Sequence, residues 1–295
     1  MARHPARGFE PRAGMVITVS GFYNEVMEDA EKNWFQHAIS VLTYNRNQRV
    51  WSVIVTLFGD LVQGHGDKIS GSALSAIIEP MGIKPEALRV ALFRLRNDGW
   101  LASEKAGRSS FYFLTEHGLR ESEAATPRIY ARKPTPIIEW RLVVQDVVRM
   151  AARQSAEKEM RHAGCLVVAP GVFLAPVDGT QPDIDGFVMT GRADTIPEWL
   201  RARTSPPELV SAYQDLEAAL DAFCDLMKSA PALSPAQVAT LRTVIVHNWR
   251  KALLSHPELP EAFFTKEWRG EACRTKVMQT LDRLGRPTLD TLNPR

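Results

Sequence analysis

The apolar positions between Pro85 and Gly99 follow the 3.6-residue period of a helix that packs on one side. Pro85 suits the first helical position, where its missing N–H would be unpaired in any case, and Gly99 suits the left-handed position just beyond the end. The segment between them is therefore predicted to be a helix over 86–98. Its buried stripe comprises Leu88, Ala91, Leu92 and Leu95.

The residues after Gly99 change to the two-residue period of β-strands. Residues 100–105 and 109–114 are predicted to be two short strands, joined by a turn that contains Gly107. A helix followed directly by a hairpin with basic residues at its tip is the order of a winged helix-turn-helix. In that fold the helix enters the major groove of DNA and the hairpin lies across phosphates, so the order predicts DNA binding.

The polar face of the predicted helix is basic. At about 100° per residue, Arg89 and Arg96 fall opposite the apolar stripe, together with Phe93. Phe93 can contact a thymine methyl group or pack beneath the hairpin, and we favour packing. Arginine can bind guanine bidentately, whereas the alternative is a solvated helix face without a ligand. The predicted DNA contacts are Lys84, which precedes the helix where unpaired N–H groups favour phosphate, then Arg89, Arg94 and Arg96, and Lys105 and Arg108 at the hairpin tip.

Helical patterns also flank this segment. Apolar residues over 25–41 predict an amphipathic helix that packs on the next domain or pairs two subunits. Residues 48–62 and 73–81 are predicted to be two more helices, and a short polar helix over 115–125 follows the hairpin. Pro127, Pro134 and Pro136 then indicate a linker.

The pattern beyond the linker is mixed and then helical. A β-α-β-β order is typical of a small ferredoxin-like domain. Its predicted elements are strands at 140–144, 165–169, 172–175 and 187–190 and a helix at 147–162. Later helices are predicted at 208–229, 235–254 and 273–284.

These patterns predict a multidomain α+β fold with four parts. We expect an N-terminal extension with an amphipathic helix over 1–44 and a winged helix-turn-helix DNA-binding domain over 45–126. A ferredoxin-like middle domain over 127–205 and a helical C-terminal domain over 206–295 follow.

Composition and the lack of certain motifs exclude several classes of protein. The net charge is only +2, so any basic surface must be local. The three cysteines lack metal-ligand or redox spacing, and no apolar run approaches the roughly 20 residues of a membrane span. We therefore expect a cytoplasmic protein with reduced thiols. Motifs for nucleotide binding, hydrolysis or zinc binding are missing, so we expect no enzyme activity, no metal and no cofactor.

Six segments spread along the chain add to this picture. They are ALRVALFRLRNDGWL (87–101), GRSSFYFLTEHG (107–118), RIY (128–130), WRLVV (140–144), APGVFLAP (169–176) and VIVHNWRKALLSHPELPEAFFTKEWRG (244–270). Together these segments resemble the PaaX family, the bacterial repressors of phenylacetic acid degradation. The resemblance implies an N-terminal winged helix, a middle domain similar to the Cas2-type ferredoxin-like fold, and a helical C-terminal domain.

The resemblance also implies a mode of action. Members of the family are dimeric repressors that an aromatic acyl-CoA, phenylacetyl-CoA in the best-known members, releases from DNA. We therefore expect a homodimer that represses an aromatic, phenylacetate-type catabolic operon. Its two winged helices would occupy successive major grooves of an inverted repeat in double-stranded DNA.

Three residues of the C-terminal pattern are candidates for effector binding. His247, Trp249 and Arg250 lie close together on a predicted helix. A planar ring beside a guanidinium can hold an aromatic acyl group and a CoA phosphate. The alternative is a tryptophan in the core with an arginine on its rim.

Two other functions remain open. Asp146 follows the predicted strand 140–144, as an aspartate does in Cas2-type nucleases, where two such carboxylates of a dimer hold Mg²⁺. Its other interpretation, which we favour, is an N-cap of the helix that starts at Val147, because no motif places a second carboxylate beside it. The second open function is a protein-interaction adaptor that uses a winged helix.

Overall fold

A computed structural model describes residues 19–43, 49–133, 139–146, 150–177 and 186–293 of the chain. These residues form helices together with two small antiparallel sheets, one of three strands and one of four. The predicted α+β class is therefore confirmed. Within these ranges no helix is long and apolar enough to cross a membrane.

The first helix, α1 (Val19–Leu42), contains the segment predicted to be amphipathic. Its buried side chains Phe35, Ala38 and Leu42 belong to the hydrophobic core of the C-terminal helices. The indole Nε1 of Trp34 donates a hydrogen bond to the carbonyl oxygen of Leu226 at 3.2 Å. The helix thus packs on its own chain. Residues 1–18 and residue 44 of the predicted extension lie outside the described residues.

An N-terminal unit, residues 49–114, has a hydrophobic core of its own. Its elements are α2 (Val50–Leu61), β1 (Ile69–Ser70), α3 (Gly71–Ile78), α4 (Pro85–Asn97), β2 (Leu101–Ala106) and β3 (Ser109–Leu114). The strands form a sheet of order β1-β3-β2. Ile54, Phe58 and Leu74 are fully buried in this core. The predicted helix over 86–98 and the predicted hairpin are both confirmed.

Capping and turns fix the position of α4. The Ser70 hydroxyl accepts a hydrogen bond from the backbone N–H of Ala73 at 3.1 Å and caps α3. Gly82 (φ +78°) turns the chain between α3 and α4, and Gly99 (φ +73°) ends α4. Both adopt the left-handed conformation that other residues reach only at a cost. The hairpin therefore follows α4 without an intervening loop.

The helix after the hairpin, α5 (Glu116–Tyr130), is longer than expected, since the linker was predicted to begin at Pro127. Thr115 caps it by accepting a hydrogen bond from the Gly118 N–H at 3.1 Å. Its last turn is held by tertiary bonds. The Arg128 guanidinium donates to the carbonyl oxygens of Leu253 and His256, each at 2.7 Å, which keeps the chain helical through the proline.

A sheet unit, residues 139–191, follows. Its elements are β4 (Trp140–Val144), α6 (Met150–His162), β5 (Leu166–Ala169), β6 (Val172–Pro176) and β7 (Phe187–Gly191). The strand order is β5-β6-β4-β7, and all three pairings are antiparallel. Val143, Phe173 and Cys165 form a small core with Met160 of α6. The other face of the sheet contributes Trp140 and Leu166 to the core of the C-terminal helices.

A C-terminal unit, residues 196–293, is helical. It contains α7 (Glu198–Thr204), α8 (Pro207–Leu226), α9 (Pro235–Leu253), α10 (Gly270–Leu284) and α11 (Leu289–Leu292). The helix α9 begins with a reciprocal cap between Ser234 and Gln237 and is buried along most of its length. It packs against α1, α2, α3, α8 and α10. This central helix therefore joins the N-terminal unit to the rest of the molecule.

A buried ion pair strengthens that junction. The Arg242 guanidinium of α9 donates two hydrogen bonds to the Asp60 carboxylate of α2, at 2.9 and 3.0 Å. The Tyr130 hydroxyl donates a third to Asp60 at 2.7 Å. Arg242 also donates to the carbonyl oxygens of Leu281 and Gly285. Both charges are thus fully hydrogen-bonded, which a buried pair requires.

Candidate nucleic-acid interface

The helix α4 buries one face and presents the other to solvent. Leu88, Ala91, Leu92 and Leu95 are buried, as the apolar spacing predicts. The opposite face is exposed and is not entirely polar. Its exposed surface includes Val90 and Phe93, which are 68% and 62% exposed. Two large apolar groups at such exposure on a well-packed helix mark a surface suited to contact with another molecule.

The position of Phe93 corrects the expectation that it packs beneath the hairpin. The hairpin starts directly after Gly99, and its first residue, Leu101, is buried in the same core as Leu88 and Leu95. The strands therefore lie on the side of the buried stripe. Phe93, on the opposite face, stays in solvent.

The three arginines of α4 differ in their surroundings. Arg89 forms an exposed ion pair with Glu86 at 3.0 Å. Arg94 lies 3.4 Å from Asp98 and also stands over the Trp51 ring, 5.6 Å from its centroid. Arg96 is exposed and has no hydrogen bond or ion pair of its side chain in the part of the chain that the structure describes. Exposed pairs of this kind contribute little to stability, so Arg89 can leave Glu86 for an incoming anion at small cost, and Arg96 has no pair to break within the described residues.

The other predicted contacts lie at the ends of the same unit. Lys84 occupies the N-cap position of α4, with an extended backbone and an exposed side chain. Lys105 and Arg108 flank the Gly107 turn of the hairpin, where Lys105 pairs with Ser110 in the sheet register. All six predicted residues are exposed. The structure thus arranges them in two groups, one along α4 and one at the hairpin tip.

Sequence reasoning missed Trp51 of α2. Its indole ring supports Arg94 through a cation–π contact, which fixes that guanidinium at the edge of the exposed face. Trp51 belongs to a helix predicted only as apolar, so no local signal connected it with Arg94. The contact depends on the packing of α2 against α4.

The three candidates for effector binding on α9 are distributed over two sides of the helix. His247 is buried and its Nδ1 lies 3.2 Å from the Thr56 hydroxyl of α2. Arg250 also points to Thr56, at 3.4 Å. Trp249 is fully buried, donates a hydrogen bond to the Ile129 carbonyl oxygen at 2.8 Å, and packs edge-on against Tyr213. The structure does not bring the three side chains into one cavity.

Burial also determines the charge of His247. Desolvation lowers its pKa to about 4, and the nearby positive charges of Arg250 and Lys251 act in the same direction. His256 behaves similarly, because burial and then the Arg128 guanidinium lower its pKa to about 4. Both rings are neutral at neutral pH and act as packed hydrogen-bonding groups.

Asp146 lies at the exposed end of β4. In the described residues no group of three or more histidine, cysteine, aspartate or glutamate side chains is placed to hold a metal ion. Residues 147–149, where Asp146 was predicted to cap a helix, lie outside the described residues.

The fold and this surface define an α+β protein of several units, one of which presents a basic helix and a basic hairpin tip to solvent. Two family models match the chain: PaaX-like protein over residues 49–118 and PaaX-like protein C-terminal domain over residues 206–292. Together they match more than half of its length. The chain belongs to the PaaX family, as its sequence motifs indicate.

One relative extends the similarity between the two matched regions. The transcriptional repressor PaaX of Escherichia coli is 26% identical over 269 residues, which cover 85% of this chain and 84% of the relative. Among solved structures, the uncharacterized protein Rv0674 from Mycobacterium tuberculosis is 19% identical and aligns with a TM-score of 0.47. That alignment covers 79% of this chain and 93% of the other.

Proposed function

We propose that this protein is a DNA-binding transcriptional repressor, and not an enzyme, that controls a phenylacetate-type catabolic operon in the cytoplasm. The observation that carries the proposal is the similarity to a transcriptional repressor over 85% of the chain. The PaaX-like family model, which matches residues 49–118, covers α4 and its hairpin. The exposed basic and apolar face of α4 supports it, because nothing within the described chain covers that face.

In this proposal α2, α3, α4 and the hairpin form a winged helix-turn-helix. The helix α4 lies in the major groove, where Arg89 and Arg96 bind guanine edges and Arg94 binds at the flank. Phe93 and Val90 are exposed between them and can contact thymine methyl groups. Lys84, Lys105 and Arg108 neutralise phosphates, each with about one counterion released.

The functional unit would be a homodimer that forms through β7. Among the described residues this strand pairs with β4 alone, and all five of its residues are exposed. Phe187 is 65% exposed and Met189 52% exposed, which is unusual for an edge strand of a solitary domain. Two copies of β7 related by a two-fold axis can pair in antiparallel fashion and cover these side chains. The β5-β6-β4-β7 order is that of a ferredoxin-like sheet, in agreement with the proposed Cas2-like middle domain.

The dimer is proposed to leave its operator when an aromatic acyl-CoA binds. A ligand shifts an equilibrium only if its affinity for the two states differs. The effector would therefore favour a dimer in which the two α4 helices no longer match the half-site spacing of an inverted repeat.

A gel-shift experiment tests the proposal. The probe is the promoter fragment of the regulated operon, at moderate salt, with and without phenylacetyl-CoA. We expect a specific complex that dissociates when the ligand is added. The proposal would be contradicted if the protein formed no complex with any promoter fragment. A protein that bound no DNA but formed a complex with another protein would favour the adaptor.

A further inference from the structure

A cavity of about 830 Å³ lies where the sheet unit meets the C-terminal unit. Its walls come from three places: the end of α6 with the start of β5, the junction of α7 and α8, and the last turns of α9 with the loop that follows it. The volume falls within the range of sites for small organic ligands, which is about 300–1,000 Å³. None of His247, Trp249 and Arg250 lines it.

The lining combines an apolar floor with cations. Leu166, Leu209, Ala252 and Leu259 provide apolar surface from both units. Side chains of Arg161, Arg203 and Lys251 also line the cavity, each from the last turn of a different helix.

The polar lining carries a small positive excess. Glu208 and Asp215 oppose the three cations, and His256, whose burial lowers its pKa to about 4, adds no charge. Arg161 lies 3.8 Å from Glu157, and Arg203 donates to the Val168 carbonyl oxygen and stands over the Trp199 ring. Lys251 is exposed and forms no ion pair within the described residues. It is therefore the cation most available to a ligand.

The cavity separates two bodies that are joined differently. On one side, α9 is bound to the N-terminal unit by buried polar contacts: Arg242 with Asp60, and the Thr240 hydroxyl with the Ile77 carbonyl oxygen at 2.8 Å. These contacts, with the packing of α4 on α2 and α3, hold the proposed DNA-binding helix to the C-terminal unit. On the other side, the sheet unit meets the C-terminal helices through the Trp140 ring, 4.8 Å from that of Phe263, and through Leu166.

We propose that this cavity binds the regulatory ligand, an organic anion with an apolar acyl or aryl end of the acyl-coenzyme A class. The inference rests on the proposed repressor function and assigns the binding site of its effector to this cavity. The apolar end lies on Leu166, Leu209 and Leu259, and phosphate groups meet Lys251, with Arg203 and Arg161 beside it. Because the ligand touches both the body that carries α4 and the sheet that carries β7, it changes the distance between the two α4 helices of a dimer.

The test uses the full chain and three variants. Lys251→Ala removes the free cation, and Ser211→Trp fills the cavity from an exposed position on α8. Lys228→Ala, which removes an exposed cation paired with Asp225 elsewhere on the same unit, is the matched control. Phenylacetyl-CoA, coenzyme A alone and phenylacetate alone are titrated by isothermal calorimetry, and operator release is followed in parallel. The melting temperature of each variant reports its folding.

We expect phenylacetyl-CoA to bind more tightly than either half of it. Lys251→Ala should weaken this binding about tenfold, Ser211→Trp should abolish it, and Lys228→Ala should leave it unchanged, with release from the operator following the same order. Folded Lys251→Ala and Ser211→Trp variants that bind phenylacetyl-CoA like the wild type would overturn the site.

The two proposals fail separately. A wild-type protein that binds its operator but not phenylacetyl-CoA would overturn the inference and leave DNA binding standing. A protein that binds the ligand in this cavity but no DNA would contradict the proposed repressor and the regulatory role of the site.

Discussion

At the scale of single residues, the buried pair of Asp60 and Arg242 joins α2 of the N-terminal unit to α9 of the C-terminal unit. Asp60 and Arg242 are 2% and 5% exposed and are joined by two hydrogen bonds. Asp60 accepts a further hydrogen bond from Tyr130, and Arg242 donates to two backbone carbonyl oxygens. Desolvation and the Asp60 charge raise the pKa of Tyr130, so its hydroxyl stays a donor. Removing one partner of such a pair strongly destabilises a protein, because the other charge stays buried without a counter-charge.

We predict that Asp60→Ala lowers the free energy of unfolding by about 3–5 kcal/mol, because Arg242 is then buried without a counter-charge. Urea unfolding followed by circular dichroism measures the change. The control is Asp225→Ala, which breaks the fully exposed pair with Lys228 and should leave the midpoint unchanged. Equal effects of the two substitutions would mean that the Asp60 pair does not hold the units together.

Two buried histidines predict a dependence of stability on pH. The folded-state pKa of His247 and of His256 is about 4, below the value of about 6.5 in an unfolded chain. Between these values the unfolded chain binds more protons, so stability is full above pH 6.5 and is lost as the pH falls toward 4.

When the pH falls from 7.5 to 5, each histidine should lower the free energy of unfolding by about 2 kcal/mol. The variant His247→Gln, which keeps a neutral polar group opposite Thr56, should show about half of the histidine-dependent loss. Urea unfolding of both proteins at the two pH values measures it. A wild-type stability that does not fall over this interval would contradict the neutral, buried state of these rings.

At the scale of elements, β7 is the exposed edge on which the proposed dimer depends. We predict that Met189→Lys, which places a charge on an already exposed side chain, converts the dimer to a monomer in sedimentation velocity. Val90→Lys, at a still more exposed apolar site on α4, is the control and should leave the dimer intact. A dimer that survives Met189→Lys would place the interface elsewhere.

The elements also show how far the sequence could be interpreted. Periodicity and turn residues were sufficient to predict α4, the hairpin and the strands of the sheet unit. Each of these elements has a regular spacing of apolar residues and a turn residue that ends it. The end of α5 could not be predicted, since contacts of Arg128 with Leu253 and His256 hold the last turn around Pro127.

Site prediction was limited for the same reason. The basic residues of α4 are a property of one helix, and their exposure follows from its pattern. The exposure of Phe93 depends on the side of α4 against which the hairpin packs. The contact of Trp51 with Arg94 depends on how α2 packs against α4. The cavity is lined by α6, β5, α7, α8 and α9 together, so no single segment carried a signal for it.

At the scale of the whole molecule, α9 makes the N-terminal and C-terminal units one body, and the sheet unit meets that body across the cavity. The chain is nearly neutral, at +2, so a basic DNA-binding surface has to be local, and we propose that α4 and the hairpin tip form it. The proposed DNA-binding helix α4, the proposed dimer edge and the proposed ligand site therefore lie on three different parts of the protein.

The central claim, that the exposed face of α4 reads DNA, is tested most directly by fluorescence anisotropy with a labelled operator at fixed salt. The double variant Arg89→Ala/Arg96→Ala is compared with the wild type and with Arg283→Ala, an exposed arginine of α10. Each bidentate arginine–guanine pair contributes about 1–3 kcal/mol, so the double variant should bind at least about thirtyfold more weakly, while Arg283→Ala binds like the wild type. An unchanged affinity of the double variant would show that another face of the protein binds the operator.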